Sequence, residues 1–372
     1  MTLTPQELTD IAYTISNRFE LVTTKYITLM AKQIRQIGQL SASNLHRLEQ
    51  FAIMGQNIDE INQELSKQTK LALNEIYELY DRSGFEEYGD VAYLYQARGI
   101  KQVPFSKNIT IQNYIQSIKQ LTAGTFLNMS NTTSIQDNYR ELIDTAITSV
   151  TMGVQDYNSA IRDILKQKAN EGLRVKYASG HTRRLDSASR MNILEGVRQV
   201  NAGVRKESAS QYGADGIEID AHSLCADDHL PYQGKQYSIA KYESINNNLK
   251  RKIGTCNCHH GISYIILGVS PKGYTQKDLE QMKDYSKESI TIGDKDVTRY
   301  EASQIMRQLE TKMRYKKDEI IALNKADIDF KKEKSELTAI QKQYRYVAEQ
   351  AQLKKRYDRA YVPGYQGKQS KP

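Results

Sequence analysis

Tryptophan is absent from the 372 residues, proline occurs six times and cysteine three times. Proline removes a backbone donor and breaks helices, so its scarcity favours long helices with few interruptions. The cysteines, Cys225, Cys256 and Cys258, are odd in number and confined to one short segment. That is unlike a secreted disulfide framework and suits a reducing compartment with a metal site. No run approaches the ~18–20 apolar residues that span a bilayer, and Met1 to Asp10 lacks the basic and apolar stretches of an export signal. Neither membrane nor export is expected. Gly-x-Ser-x-Gly, His-Glu-x-x-His and a phosphate-cradling glycine loop are also missing, so nothing points to a small-molecule substrate.

What is present is polar: 39% hydrophobic and 26% charged residues, 25 tyrosines and a mean hydropathy of −0.65. At 42.6 kDa the chain exceeds one usual domain. Its net charge of +8 is concentrated at one end, where residues 270–372 hold 23 Lys and Arg against 16 Asp and Glu. Such a tail either attracts nucleic acid or an acidic surface, or is a solvated helix face of mixed sign.

Along the chain the pattern is mostly α with a small α+β module. Apolar residues at helical spacing, such as Ile11, Ile15 and Phe19, then Ile58, Ile61 and Leu65, predict long antiparallel helices over 7–80. Thr4 and Pro5 read as a helix start. Further helices are expected at about 108–126 and 134–170, and a hairpin around Ser179-Gly180. A helix capped by Asp186 follows, with Met191, Leu194 and Val197 or Val200 as its apolar stripe and Arg190 on its surface. Strand-like runs GIEID, KQYSI and ISYIIL fill 213–270. A helix at 274–286, a hairpin turning at Gly293-Asp294, long basic helices over 301–359 and a frayed end complete the reading. The expected divisions are a helical N-terminal domain at 1–172, an α+β module at 173–270, a hairpin and basic helical region at 271–360, and a flexible tail at 361–372.

The chemistry gathers in the module. His222, Cys225, Asp227, Asp228 and His229 are followed by Cys256, Cys258, His259 and His260. Thiolate and imidazole donors in two separated clusters suit tetrahedral zinc, although the Cys-x-x-Cys spacing is missing. Three readings stay open: a structural zinc, buried cysteines and hydrogen-bonded histidines without metal, or a catalytic site using Asp227 or Asp228 as base or orienter. Arg183 and Arg184, with Arg314, Lys316, Lys317, Lys354, Lys355 and Arg356 in the tail, are candidate contacts to nucleic acid or an acidic partner. Tyr315, Tyr344, Tyr346 and Tyr357 lie among these cations, in an arrangement compatible with base stacking or with ordinary packing.

Three stretches together resemble the phage minor capsid protein 2 family: SGHTRRLDSASRMNILEGVRQVN at 179–201, the set His222, His229, Tyr232, Gln233 and Gly234, and Asn257-Cys258-His259-His260. TRYEASQIMRQLETKMRYKK at 298–317 is similar to the family's hairpin-to-helix ending. The resemblance implies His222, His229, Cys258 and His260 as shared ligands, with Cys225, Cys256 and His259 as alternates. His259 and Ala226 stand where the family carries arginine. The resemblance further implies a non-enzymatic structural protein of the virion, inside the capsid or at the portal vertex and in the host cytoplasm during assembly. Its implied partners are the portal protein, the major capsid protein or scaffold, and double-stranded DNA. The rival reading is a metal-dependent nuclease or toxin-like effector carried in the virion.

Overall fold

The first helix starts where its capping chemistry dictates. Thr4 accepts from the Glu7 amide while the Glu7 carboxylate accepts from the Thr4 amide, a reciprocal capping box in front of α1 (Pro5–Gly38). The computed structural model describes residues 3–154, 156–255, 258, 260–367 and 369.

After α1 come α2 (Arg47–Asp90), α3 (Ala92–Ala97), α4 (Ile109–Thr132), β1 (Thr133–Ser134), α5 (Gln136–Thr151) and α6 (Tyr157–Glu171). The expected 134–170 helix is two helices, α5 ending at Thr151 and α6 starting at Tyr157, and Asp156 caps α6 by accepting from the Ser159 amide. The hairpin β2 (Arg174–Lys176) and β3 (Thr182–Arg184) forms as expected, and β1 adds a third strand. Then follow α7 (Leu185–Tyr212), β4 (Gly216–Ile219), β5 (Gln236–Ser238), α8 (Ile239–Asn248) and β6 (Ile262–Ile265). The chain ends with α9 (Gln276–Lys287), the hairpin β7 (Ser289–Ile292) and β8 (Lys295–Thr298), α10 (Arg299–Ala326) and α11 (Lys331–Gln350). The fold is mostly helical with small antiparallel sheets.

α1 is the centre of the molecule. It packs against α2, α5, α6, α7 and α10, and buries Phe19, Val22, Tyr26, Ile27 and Met30 among them. One continuous core runs from Leu3 through α7 to Ile321 and Val362. The boundary expected at residue 172 therefore does not separate cores. α7 faces this core with Ile193, Val197, Val200 and Val204, whereas Met191 and Leu194 are half-buried. At Gly196, α7 comes so close to α2 that a Cβ would lie 1.6 Å from the Tyr80 hydroxyl.

Three readings of single segments are corrected. Asp186 does not cap α7; it sits in the first turn, buried, and pairs with Arg184 at 3.3 Å and Arg314 at 2.8 Å. Arg190 lies 4.1 Å over the Tyr13 ring rather than free on the surface. Of the expected frayed end, the described residues 361–367 and 369 are tied down: Val362 is fully buried, Gln369 bonds both backbone groups of Val362, and Thr24 donates to the Pro363 carbonyl, while 368 and 370–372 lie outside the described residues. Polar composition had concealed a clamp made of backbone hydrogen bonds.

Candidate metal centre

The sheet order β5-β4-β6 explains how two loops far apart in sequence meet. β4 pairs antiparallel with β6 and Ile219 lies opposite Ile262, so the loop leaving β4 and the loop entering β6 emerge side by side. The Asp220 amide continues the pairing by donating to the Gly261 carbonyl at 3.0 Å. The first loop carries His222, Cys225 and His229, and the second carries Cys258 and His260. Gly234 closes the first loop with φ +67°, its amide donating to the Ile219 carbonyl at 2.7 Å, and a Cβ there would lie 2.3 Å from Leu279 of α9.

Three donor atoms converge. His229, Cys258 and His260 offer ligand atoms all within 4.8 Å of one another, with both histidines buried. Cys258 Sγ lies 3.5 Å from His229 Nδ1 and 3.3 Å from His260 Nδ1. A tetrahedral zinc with bonds of about 2.3 Å to sulfur and about 2.05 Å to nitrogen has S···N edges of ~3.5 Å. The donor set and its spacing therefore fit zinc.

The surrounding hydrogen bonds turn the same nitrogens inward. His229 Nε2–H donates to the Arg251 carbonyl at 2.6 Å, and His260 Nε2–H donates to Gln233 Oε1 at 3.1 Å. In neutral imidazole the other nitrogen is then bare, so both Nδ1 atoms face the Cys258 sulfur as acceptors. Gln233 Oε1 also accepts from the His222 amide, tying the first loop to His260. Arg251 holds this arrangement twice, since its guanidinium forks onto Asp228 while its carbonyl holds His229. The Asp228 carboxyl loses some hydration by burial, but its bonds to Arg251 keep it below the usual range. Sequence patterns named Gln233 without a role and missed Arg251; a main-chain acceptor leaves no trace in residue identity.

The other expected ligands stand around this trio. The His222 ring lies tilted against His260 with ring centroids 4.4 Å apart, while its Nδ1 bonds the Ser223 carbonyl at 2.8 Å. Cys225 is buried and approaches His260 from the opposite side, Sγ to Nε2 at 3.4 Å. Burial, reinforced by Cys258, pushes the Cys225 thiol up to about 12. Cys256 and His259 lie outside the described residues. Asp227 points to solvent and pairs with Lys287 at 3.3 Å.

Most of the expected external cations are engaged within the fold. Arg184 is buried and pairs with Glu20, Asp186 and Asp318, and Arg314 is held by Asp186. Lys316 bonds Glu319 and Glu336, Lys317 is buried on the Ala360 carbonyl and Gln369, and Arg356 bonds Asp10 and Asp358. Burying these charges was possible only because acids or carbonyls met them, which removes all five from an outer contact surface. Arg183 is half-buried beside Met191, and Lys354 and Lys355 are exposed. Among the tyrosines, Tyr344 is buried on Glu310, Tyr357 packs on Tyr344, Tyr315 lies against Arg184, and Tyr346 is exposed.

No curated protein and no solved structure matches the chain. No helix among the described residues is long and apolar enough to cross a membrane. The family model for phage minor capsid protein 2 matches residues 3–349, a span covering the helical body, the module and its trio of donors and nearly all of α11, and the chain belongs to that family.

Proposed function

We propose that this phage capsid component works in head assembly from the capsid interior near the portal vertex, with its 213–270 module pinned by one structural zinc. Membership of a minor capsid family supports a structural place in the virion among other head components. The observation that carries the finer reading is the pair of inward Nδ1 atoms converging on Cys258 Sγ, each fixed from behind by a carbonyl oxygen. His229, Cys258 and His260 would hold the ion, with His222 on the neighbouring loop position for a fourth bond. The ion supplies a cross-link between the two loops, a function metals serve in small modules. Portal or major capsid subunits are the protein partners, and packaged DNA is the neighbour on the basic side.

Elemental analysis and thermal unfolding of the whole chain test this. One zinc per chain is expected, lost together with several degrees of midpoint in Cys258→Ser and His260→Ala. An unaltered midpoint in both variants, with no zinc in the wild type, would reduce the trio to a hydrogen-bonded cluster. Metal-dependent cleavage of DNA, abolished by His229→Ala in a folded protein, would instead favour the nuclease reading.

A further inference from the structure

On α11 the acids and the bases face opposite ways. Glu333 is buried and held by Arg162 and Lys166 of α6, and Glu336 is bound by Lys316 of α10. Lys331, Lys334, Lys342 and Arg345 are exposed. At about 100° per residue these four fall within about 80° of arc, and at about 1.5 Å per residue they span about 21 Å of a straight helix. The exposed acid at the far end, Glu349, is taken by Lys355 at 2.8 Å. Asp329 bounds the near end by accepting from the Lys331 amide, and the Gly293-Asp294 turn bounds the other edge beside Tyr346. Between Lys331 and Arg345 the only acids of α11 are Glu333 and Glu336, both outside that arc. A solvated helix face normally mixes signs; here Glu333 is buried and Glu336 is turned to Lys316, which leaves a row of like charge.

We propose that this outer face of α11 grips the phosphate backbone of duplex DNA, with Lys331, Lys334, Lys342 and Arg345 touching it and Lys354 extending the row. The proposal rests on the reading of the chain as a head component lying against the genome. Duplex DNA is the partner that fits, because it offers about one negative charge per ~1.7 Å of axis in a regular line. An acidic protein surface offers scattered carboxylates. The grip carries no sequence preference, since phosphates bear no base information.

The test is fluorescence anisotropy of the full chain with a mixed-sequence duplex of about 30 base pairs, titrated across potassium chloride. In K331Q/K334Q/K342Q/R345Q, the slope of log K against log salt should fall by about 3–4, at about 0.9 for each phosphate no longer neutralised. Affinity at ~0.1 M salt should drop at least tenfold. The charge-matched control K272Q/K277Q/K283Q/K295Q, on α9, the loop before it and the hairpin, should keep nearly the wild-type slope. Equal losses in both variants, no binding by the wild type at low salt, or preference for polyglutamate over duplex would each overturn the stripe. Peptide mass spectrometry of purified virions tests the underlying reading separately: absence from virions removes the head assignment, whereas presence without DNA binding removes only the stripe.

Discussion

Arg184 shows what a single side chain settles. Its neighbour Arg183 is half-buried and Arg184 is sealed in, as the alternation of a strand requires of adjacent residues in β3. From sequence the pair read as two equivalent cations. Which one turned inward depended on Glu20 and Asp318, more than 130 positions away on either side, and such partners are invisible to local pattern. Replacing Arg184 by Ala leaves Asp318 and Glu20 in the core without their guanidinium, while Asp186 keeps Arg314, and should cost about 3–5 kcal/mol, read as a lower urea midpoint. Lysine, which cannot fork onto several carboxylates, should recover only part of that loss. Full stability in the alanine variant would show that the buried acids neutralise themselves.

Elements were more legible than partners. The starts of α1, α9 and α10 are all marked by capping boxes, Thr4 with Glu7, Thr275 with Asp278 and Thr298 with Glu301. The two-residue hairpin turn at Gly293-Asp294 and the three strands of the module also followed from residue type and alternation. The trio of candidate donors was partly legible: two clusters were evident, but the convergence of His229, Cys258 and His260 needed the Ile219–Ile262 register. The segment after α11 was misread because glycine, glutamine and lysine suggest fraying. Ending the chain at Ala360 removes Val362 from the core and Gln369 from Lys317, whose ammonium burial already lowers to about 8. A loss of about 3 kcal/mol in denaturant unfolding is expected, from the apolar burial and one charged hydrogen bond. A truncated chain as stable as the intact one would mean that α10 needs no such clamp.

At the scale of the molecule, three carboxylates meet two directly paired guanidiniums between α1, α7 and α10. Burial, only partly offset by Arg184, raises Glu20 to about 8, and burial likewise raises Asp318 to about 6, while Arg314 and Arg184 overcome burial and hold Asp186 well below its usual range. Glu20 thus binds a proton in the folded protein that the unfolded chain releases near its ordinary value. Its contribution is fully present below about 4.5 and is lost as pH rises toward 8. Urea midpoints of the wild type should fall from pH 5 to pH 8 more steeply than those of Glu20→Gln. Parallel profiles would place the retained proton elsewhere.

The central position of α1 also has a consequence in time. Glu20 leaves the ribosome about 300 residues ahead of Asp318, and at ~5–20 residues per second that interval is ~15–60 s. For that period a helix meant for the middle of the protein has neither α10 nor the closing clamp at Val362 and Gln369 to cover it. The nascent chain keeps that apolar face uncovered until α10 and the segment carrying Val362 and Gln369 have followed.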